Sequence, residues 1–313
     1  MIEVLKSMER FSIHILRREV QFLMNVQVFS IAVLVIGSYL PVVLLEELFG
    51  GWTIQAQVVQ ILVLAAAFAF SVFKRRQGYP IALPLLLLVL AVGTLGTDLL
   101  RTASCWTTRF PVSDIRLSLT GSIILKSIPV CLTLAVLFSA YRRPERFYLV
   151  KGDLSMKAES IAWLGIPAQK ISWGKLAVLS AILISMGTAL LMILPMTGGG
   201  IPPGFASIPR QLPFILLLAL GNSFFEGVVF RNGILSVLHG FLPHDSLLIA
   251  AGLFFGIGHF YGAPSGIAGV FMASLLGWYM NRAMYETKGF LASWMIHALQ
   301  DVVIFTFLFA VTL

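Results

Sequence analysis

Charged residues are scarce in this chain. Asp, Glu, Lys and Arg make up 12% of its 313 residues, apolar residues make up 58%, and mean hydropathy is +0.92. A soluble domain carries about 25% charge, so the shortage excludes an ordinary water-facing surface and indicates a polytopic membrane protein. Cysteine is nearly absent, and Cys105 and Cys131 are too few for a disulfide framework. The chain has no H-E-x-x-H zinc helix, and Gly198–Gly200 lacks the lysine and strand context of a phosphate-binding loop. The N-terminal stretch mixes Lys6, Arg10, Arg17 and Arg18 among apolar residues, unlike a cleavable signal with its charges first. The net charge of +8 could suggest nucleic acid, but the basic residues sit between apolar runs. That is the positive-inside bias of a membrane protein, so the expected partner is the lipid bilayer and no nucleic acid is implied.

What remains is a series of apolar runs near the length of about 20 residues that a spanning helix needs. They fall at 28–45, 54–73, 81–100, 122–141, 176–196, 211–242, 247–260, 267–280 and 290–313. The expected fold is therefore all-α, a polytopic helical bundle of about nine transmembrane helices, eight to ten given the short seventh and eighth runs. Three regions are expected: a basic amphipathic segment over 1–27, N-terminal transmembrane helices with an interfacial connection over 28–174, and a C-terminal bundle over 175–313. The connection 147–174 carries Trp163 and Trp173, which suit the membrane interface. Lys126, inside the fourth run, is expected to snorkel to a nearby end. Basic loops after runs two, four and eight place the N-terminus in the cytoplasm, and a bacterial cytoplasmic membrane is the expected setting.

The chemistry lies in the last four runs. Glu226 and Arg231 share one apolar stretch, G-N-S-F-F-E-G-V-V-F-R-N-G. On an α-helix five residues are about 140° round the axis, which makes the two poor partners. The residue one turn before Arg231 is Gly227, so Arg231 needs a partner on another helix and Glu226 is left free. His259 follows Phe255 by four residues and shares its face. His297 and Asp301 are likewise one turn apart. Intramembrane ionisable groups tend to face the bundle interior and one another, so these positions are expected to share one polar pocket.

The order E-x-x-x-x-R, F-x-x-x-H, H-x-x-x-D on successive late helices resembles the CPBP family of intramembrane proteases, also called Abi. That family includes CAAX prenyl endopeptidases and bacteriocin-processing and immunity proteins. The resemblance covers roughly 212–307. It implies a peptidase of metallo- or glutamate type that hydrolyses a peptide or a membrane-associated protein substrate. Glu226 and His259 would activate a water and His297 would stabilise the oxyanion. Asp301, where some members have Asn, would join His297 at the oxyanion if protonated, or else orient His297. Arg231, Phe255 and Gly227 would support these groups. Zinc held by Glu226, His259, His297 and Asp301 is the alternative, with the metal-free reading favoured. The family usually has a second glutamate where this chain has Gly227. That departure leaves open a weak or inactive relative acting as a scaffold, immunity factor or partner-binding protein. A proton-coupled carrier is a third reading, but the chain shows no symmetry between halves.

Overall fold

The computed structural model describes residues 2–194, 202–262 and 264–312. Among them the regular structure is helical, with isolated β-bridges only. The helices are α1 (Ile2–Gly37), α2 (Leu40–Phe49), α3 (Thr53–Phe73), α4 (Ala82–Thr102), α5 (Ser104–Arg109), α6 (Ile115–Tyr141) and α7 (Trp173–Ile193). They continue with α8 (Ile208–Glu226), α9 (Ile234–Leu238), α10 (His244–Ile257), α11 (Gly266–Thr287) and α12 (Leu291–Thr312). The polytopic helical bundle expected from the apolar runs is what forms. Among the described residues, seven helical segments are long and apolar enough to cross a membrane. Helix α10, with 14 residues, spans only about 21 Å at 1.5 Å per residue, short of a hydrocarbon core of about 30 Å. Helix α11 is longer but carries Asn281, Arg282 and Glu286.

The N-terminal boundary differs from expectation. Helix α1 continues from the basic segment into the first span without a break. The span ends at Gly37, before the expected 45, because Pro41 starts a new helix whose first turn needs no proline N–H. The side chains up to position 18, and the glycine-rich loop expected at 198–200, lie outside the described residues.

The connection after α6 is extended and docked on the end of α11. Asp153 N donates to Thr287 O at 2.8 Å and Phe290 N donates to Val150 O at 2.7 Å. Its anchor is buried Glu286, which accepts from Glu159 N at 2.9 Å, Trp173 Nε1 at 2.7 Å and Arg282 Nε at 2.7 Å. Trp173 is thus a fully buried residue and not the interfacial anchor its composition suggested; Trp163 does stay exposed. An indole N–H in an apolar core needs an acceptor, and a buried carboxylate needs several donors, so each stabilises the other's burial.

Helix α12 packs against α7 and α8, α10 lies along α11, and α6 lies between α4 and α8. The core cluster between them includes Leu83, Leu86, Leu137, Val228, Ile234 and Leu235. Large side chains such as Leu62, Leu183 and Met186 point outward, as a lipid-facing surface requires. The two cysteines are unpaired and exposed, Cys131 on α6.

Candidate functional site

Helix α8 does not continue as an α-helix past Glu226. Residues Gly227–Gly233 form π-helical turns leading directly into α9. In a π-helix the hydrogen bond joins i to i+5, so five residues nearly complete a turn. The 140° separation expected for an α-helix therefore does not apply, and Arg231 folds back along α8. Its Nη2 donates to Ser223 O at 3.2 Å and meets His297 Nδ1 at 3.0 Å. Arg231 is fully buried, and the partner it required on another helix is His297 of α12.

Glu226, His259, His297 and Asp301 converge. Glu226 Oε2 lies 3.6 Å from His297 Nε2 and 4.0 Å from His259 Nε2, and His297 Nε2 lies 3.6 Å from Asp301 Oδ1. Phe255 joins the two imidazoles, with its ring centroid 4.4 Å from that of His259 and 5.8 Å from that of His297. The Arg231 guanidinium carbon sits 5.7 Å from the same ring. His297 and Asp301 are buried, Glu226 is nearly so, and the His259 side chain is 34% exposed. The site therefore opens on the His259 side.

The hydrogen bonds assign the tautomers. A guanidinium can only donate, so the Arg231 contact makes His297 Nδ1 an acceptor. The neutral ring then carries its proton on Nε2, facing Glu226 and Asp301. His259 is the reverse: its Nδ1 lies 2.9 Å from the Phe255 carbonyl, which can only accept. His259 Nδ1 therefore carries the proton, and its Nε2 presents a lone pair toward Glu226.

Two members of the site were not anticipated. Lys126 of α6 was expected to snorkel; instead its Nζ donates to Glu226 Oε1 at 2.7 Å and to Asn222 Oδ1. Glu226 is thus not the free acid that its own helix suggested. Asn222 passes the contact on, since its Nδ2 donates to Asp301 Oδ2 at 3.0 Å. One signal for Asn222 was its spacing: it lies four residues before Glu226, on the same helix face. Nothing local in the sequence links Lys126 to either, because they lie about a hundred residues apart.

The glycine at 227 also has a structural reason. A Cβ there would lie 2.5 Å from Phe290 Cε2, closer still to Phe290 Cζ, and 2.9 Å from Arg231 Nη2. The room a second glutamate would need is filled by the Phe290 ring and by Arg231, turned toward His297.

Zinc does not fit this arrangement of the four residues. His297 presents a protonated Nε2 and no lone pair, and the Lys126 ammonium already stands against Glu226. Among the described residues, no three His, Cys, Asp or Glu side chains are grouped to hold a metal ion.

The described residues thus form a helical membrane bundle in which an acid, two imidazoles and a second acid converge on the late helices. Residues 208–303 match the family model described as Rce1-like, type II CAAX prenyl endopeptidase Rce1-like. The segment contains every candidate named from sequence and excludes Lys126. No curated protein and no solved structure matches the chain.

Proposed function

We propose that the chain is an intramembrane endopeptidase that hydrolyses a peptide bond by direct attack of water, with Glu226 and His259 as the bases. The observation that carries the reading is that the two imidazoles turn chemically opposite nitrogens toward one carboxylate. His259 Nε2 is a bare acceptor and His297 Nε2 is a donor. Distances of 3.6–4.0 Å between these nitrogens and Glu226 Oε2 are too long for direct hydrogen bonds and suit a small group held between them.

In the proposed step, water donates one proton to Glu226, assisted by His259, as its oxygen bonds to the carbonyl carbon. The carbonyl oxygen becomes an oxyanion that accepts from His297 Nε2–H. The C–N bond then breaks, and the proton held at the Glu226–His259 pair passes to the departing amine. Asp301 faces the same Nε2 and keeps the ring oriented. No step runs through a metal. The proposed substrate is a membrane-associated peptide or protein, with a CAAX-type prenylated C-terminus as the first to try, and the proposed setting is a bacterial cytoplasmic membrane with the N-terminus inside.

One observation favours the second reading, a relative that binds peptide without cleaving it: Lys126 already engages Glu226. The full-length protein in detergent decides between them. The first reading expects cleavage of a farnesylated, internally quenched CAAX peptide and loss of that cleavage in Glu226→Gln. Cleavage that persists undiminished in Glu226→Gln would refute the assignment of the base. Binding of the peptide without cleavage by the wild type would favour the second reading.

A further inference from the structure

We propose that Lys126 is a positioning residue of this site, acting through Glu226 and Asn222; the proposal rests on the protease reading above. Lys126 stands about 16 Å along α6 from Ile115, at 1.5 Å per residue, well inside the span. An ammonium facing lipid at such a depth costs several kcal/mol or more. Its side chain is 40% exposed, while its ammonium meets Glu226 and Asn222. The stem turns inward and sets the charge on α8.

Asn222 and Glu226 are one turn apart, so a single ammonium meets both. Two consequences follow from donor and acceptor counting. With Glu226 Oε1 tied to the ammonium, the second oxygen, Oε2, is the one that faces His259 and His297. With Asn222 Oδ1 facing an ammonium that can only donate, its Nδ2 must face Asp301, as it does. Lys126 thereby fixes the orientation of both acids. It also sets a positive charge directly beside the Glu226 carboxylate. Pro129, three residues on, cannot donate to the carbonyl of Leu125, so α6 lacks one backbone bond beside this lysine.

The test uses the full chain in detergent, with Lys126→Met, Lys126→Arg, Glu226→Gln and the Lys126→Met/Glu226→Gln double variant. Two readouts are taken, chemical unfolding and hydrolysis of the quenched farnesylated peptide. The unfolding cycle is expected to show coupling between positions 126 and 226, with the double variant less destabilised than the sum of the singles. Lys126→Met is expected to lower kcat about ten- to hundredfold, the range set by a hydrogen bond to a charged group, with KM within about twofold. Lys126→Arg is expected to recover much of kcat, which a merely space-filling role would not predict. Absence of coupling overturns the contact, and a wild-type kcat in Lys126→Met overturns the positioning role. A wild-type protein that shows coupling but binds the peptide without cleaving it overturns the protease reading and leaves Lys126 as a structural ion pair only.

Discussion

The replacement Gly227→Ala tests whether the site has reorganised around a missing side chain. Backbone preference favours alanine here. Gly227 has φ −59° and ψ −48°, ordinary right-handed values, and alanine is the better helix former by about 0.8–1.0 kcal/mol. Packing opposes it. The new methyl would lie 2.5 Å from Phe290 Cε2 and 2.9 Å from Arg231 Nη2, and closer still to Phe290 Cζ. Phe290 cannot simply swing away, since it meets Phe224 edge-on at 5.5 Å and stacks on Trp294 at 6.4 Å. Overpacking of this kind costs about 1–3 kcal/mol, and pushing Arg231 off His297 adds about 1.5–3 kcal/mol if that charged hydrogen bond is lost. The opposing terms leave a net loss of about 1.5–5 kcal/mol, with packing the winner. Chemical unfolding of the purified protein measures it. The same experiment on Phe290→Leu and on the double variant locates the cause: the double variant is expected to be less destabilised than the sum by at least about 1 kcal/mol. If Gly227→Ala unfolds like the wild type, or if the two changes simply add, the steric account of this position is wrong.

Two further changes separate chemistry from folding. Arg231→Met removes the donor that sets the His297 tautomer, so kcat is expected to fall about ten- to hundredfold, with nitrogen NMR of labelled His297 showing loss of the single Nε2–H form. Stability is expected to change by less than about 1–2 kcal/mol, because Arg231 Nε and Nη1 have no hydrogen-bond partner among the described residues and the methionine relieves them of burial. Glu286→Ala is expected to do the opposite. It strips the acceptor from Trp173 Nε1, Glu159 N and Arg282 Nε at once, leaving the buried indole N–H without a partner, and should cost about 2–5 kcal/mol in unfolding. Its effect on KM should be small, since the residue lies outside the group of Glu226, His259 and His297.

The bundle was legible because the spans are long apolar runs, and a residue-by-residue hydropathy reading needs no knowledge of partners. Helices α10 and α12 came out close to their expected bounds for the same reason, while α11 runs on to Thr287, past the expected 280, and the sixth run breaks after Glu226. The breaks were less legible: Gly37 ends α1 because of a proline four residues on, a local signal that the apolar run masks. The convergence of Glu226, His259, His297 and Asp301 was legible in another way, since each ionisable group in an apolar span needs a polar neighbour. The geometry around Arg231 was not. An angle of 140° assumes 3.6 residues per turn, and the helix changes to π-helical turns immediately after Glu226.

Lys126 and Gly227 show where reading along the chain stops. Each had an ordinary local explanation: a lysine that snorkels and a glycine that marks a lost acid. In the folded chain Lys126 meets the Glu226 carboxylate, and a side chain at 227 would meet Phe290 and Arg231. Without a side chain at 227, Phe290 fills the gap and Arg231 turns to His297, so one cation is committed to the imidazole and does not neutralise Glu226 directly. The counter-charge then comes from another helix, α6, and from outside the segment that carries the family motifs. The departure at 227 is therefore better described as an exchange of partners than as a loss, and the N-terminal helices, which from sequence were only a hydrophobic preamble, supply one of the site's two cations.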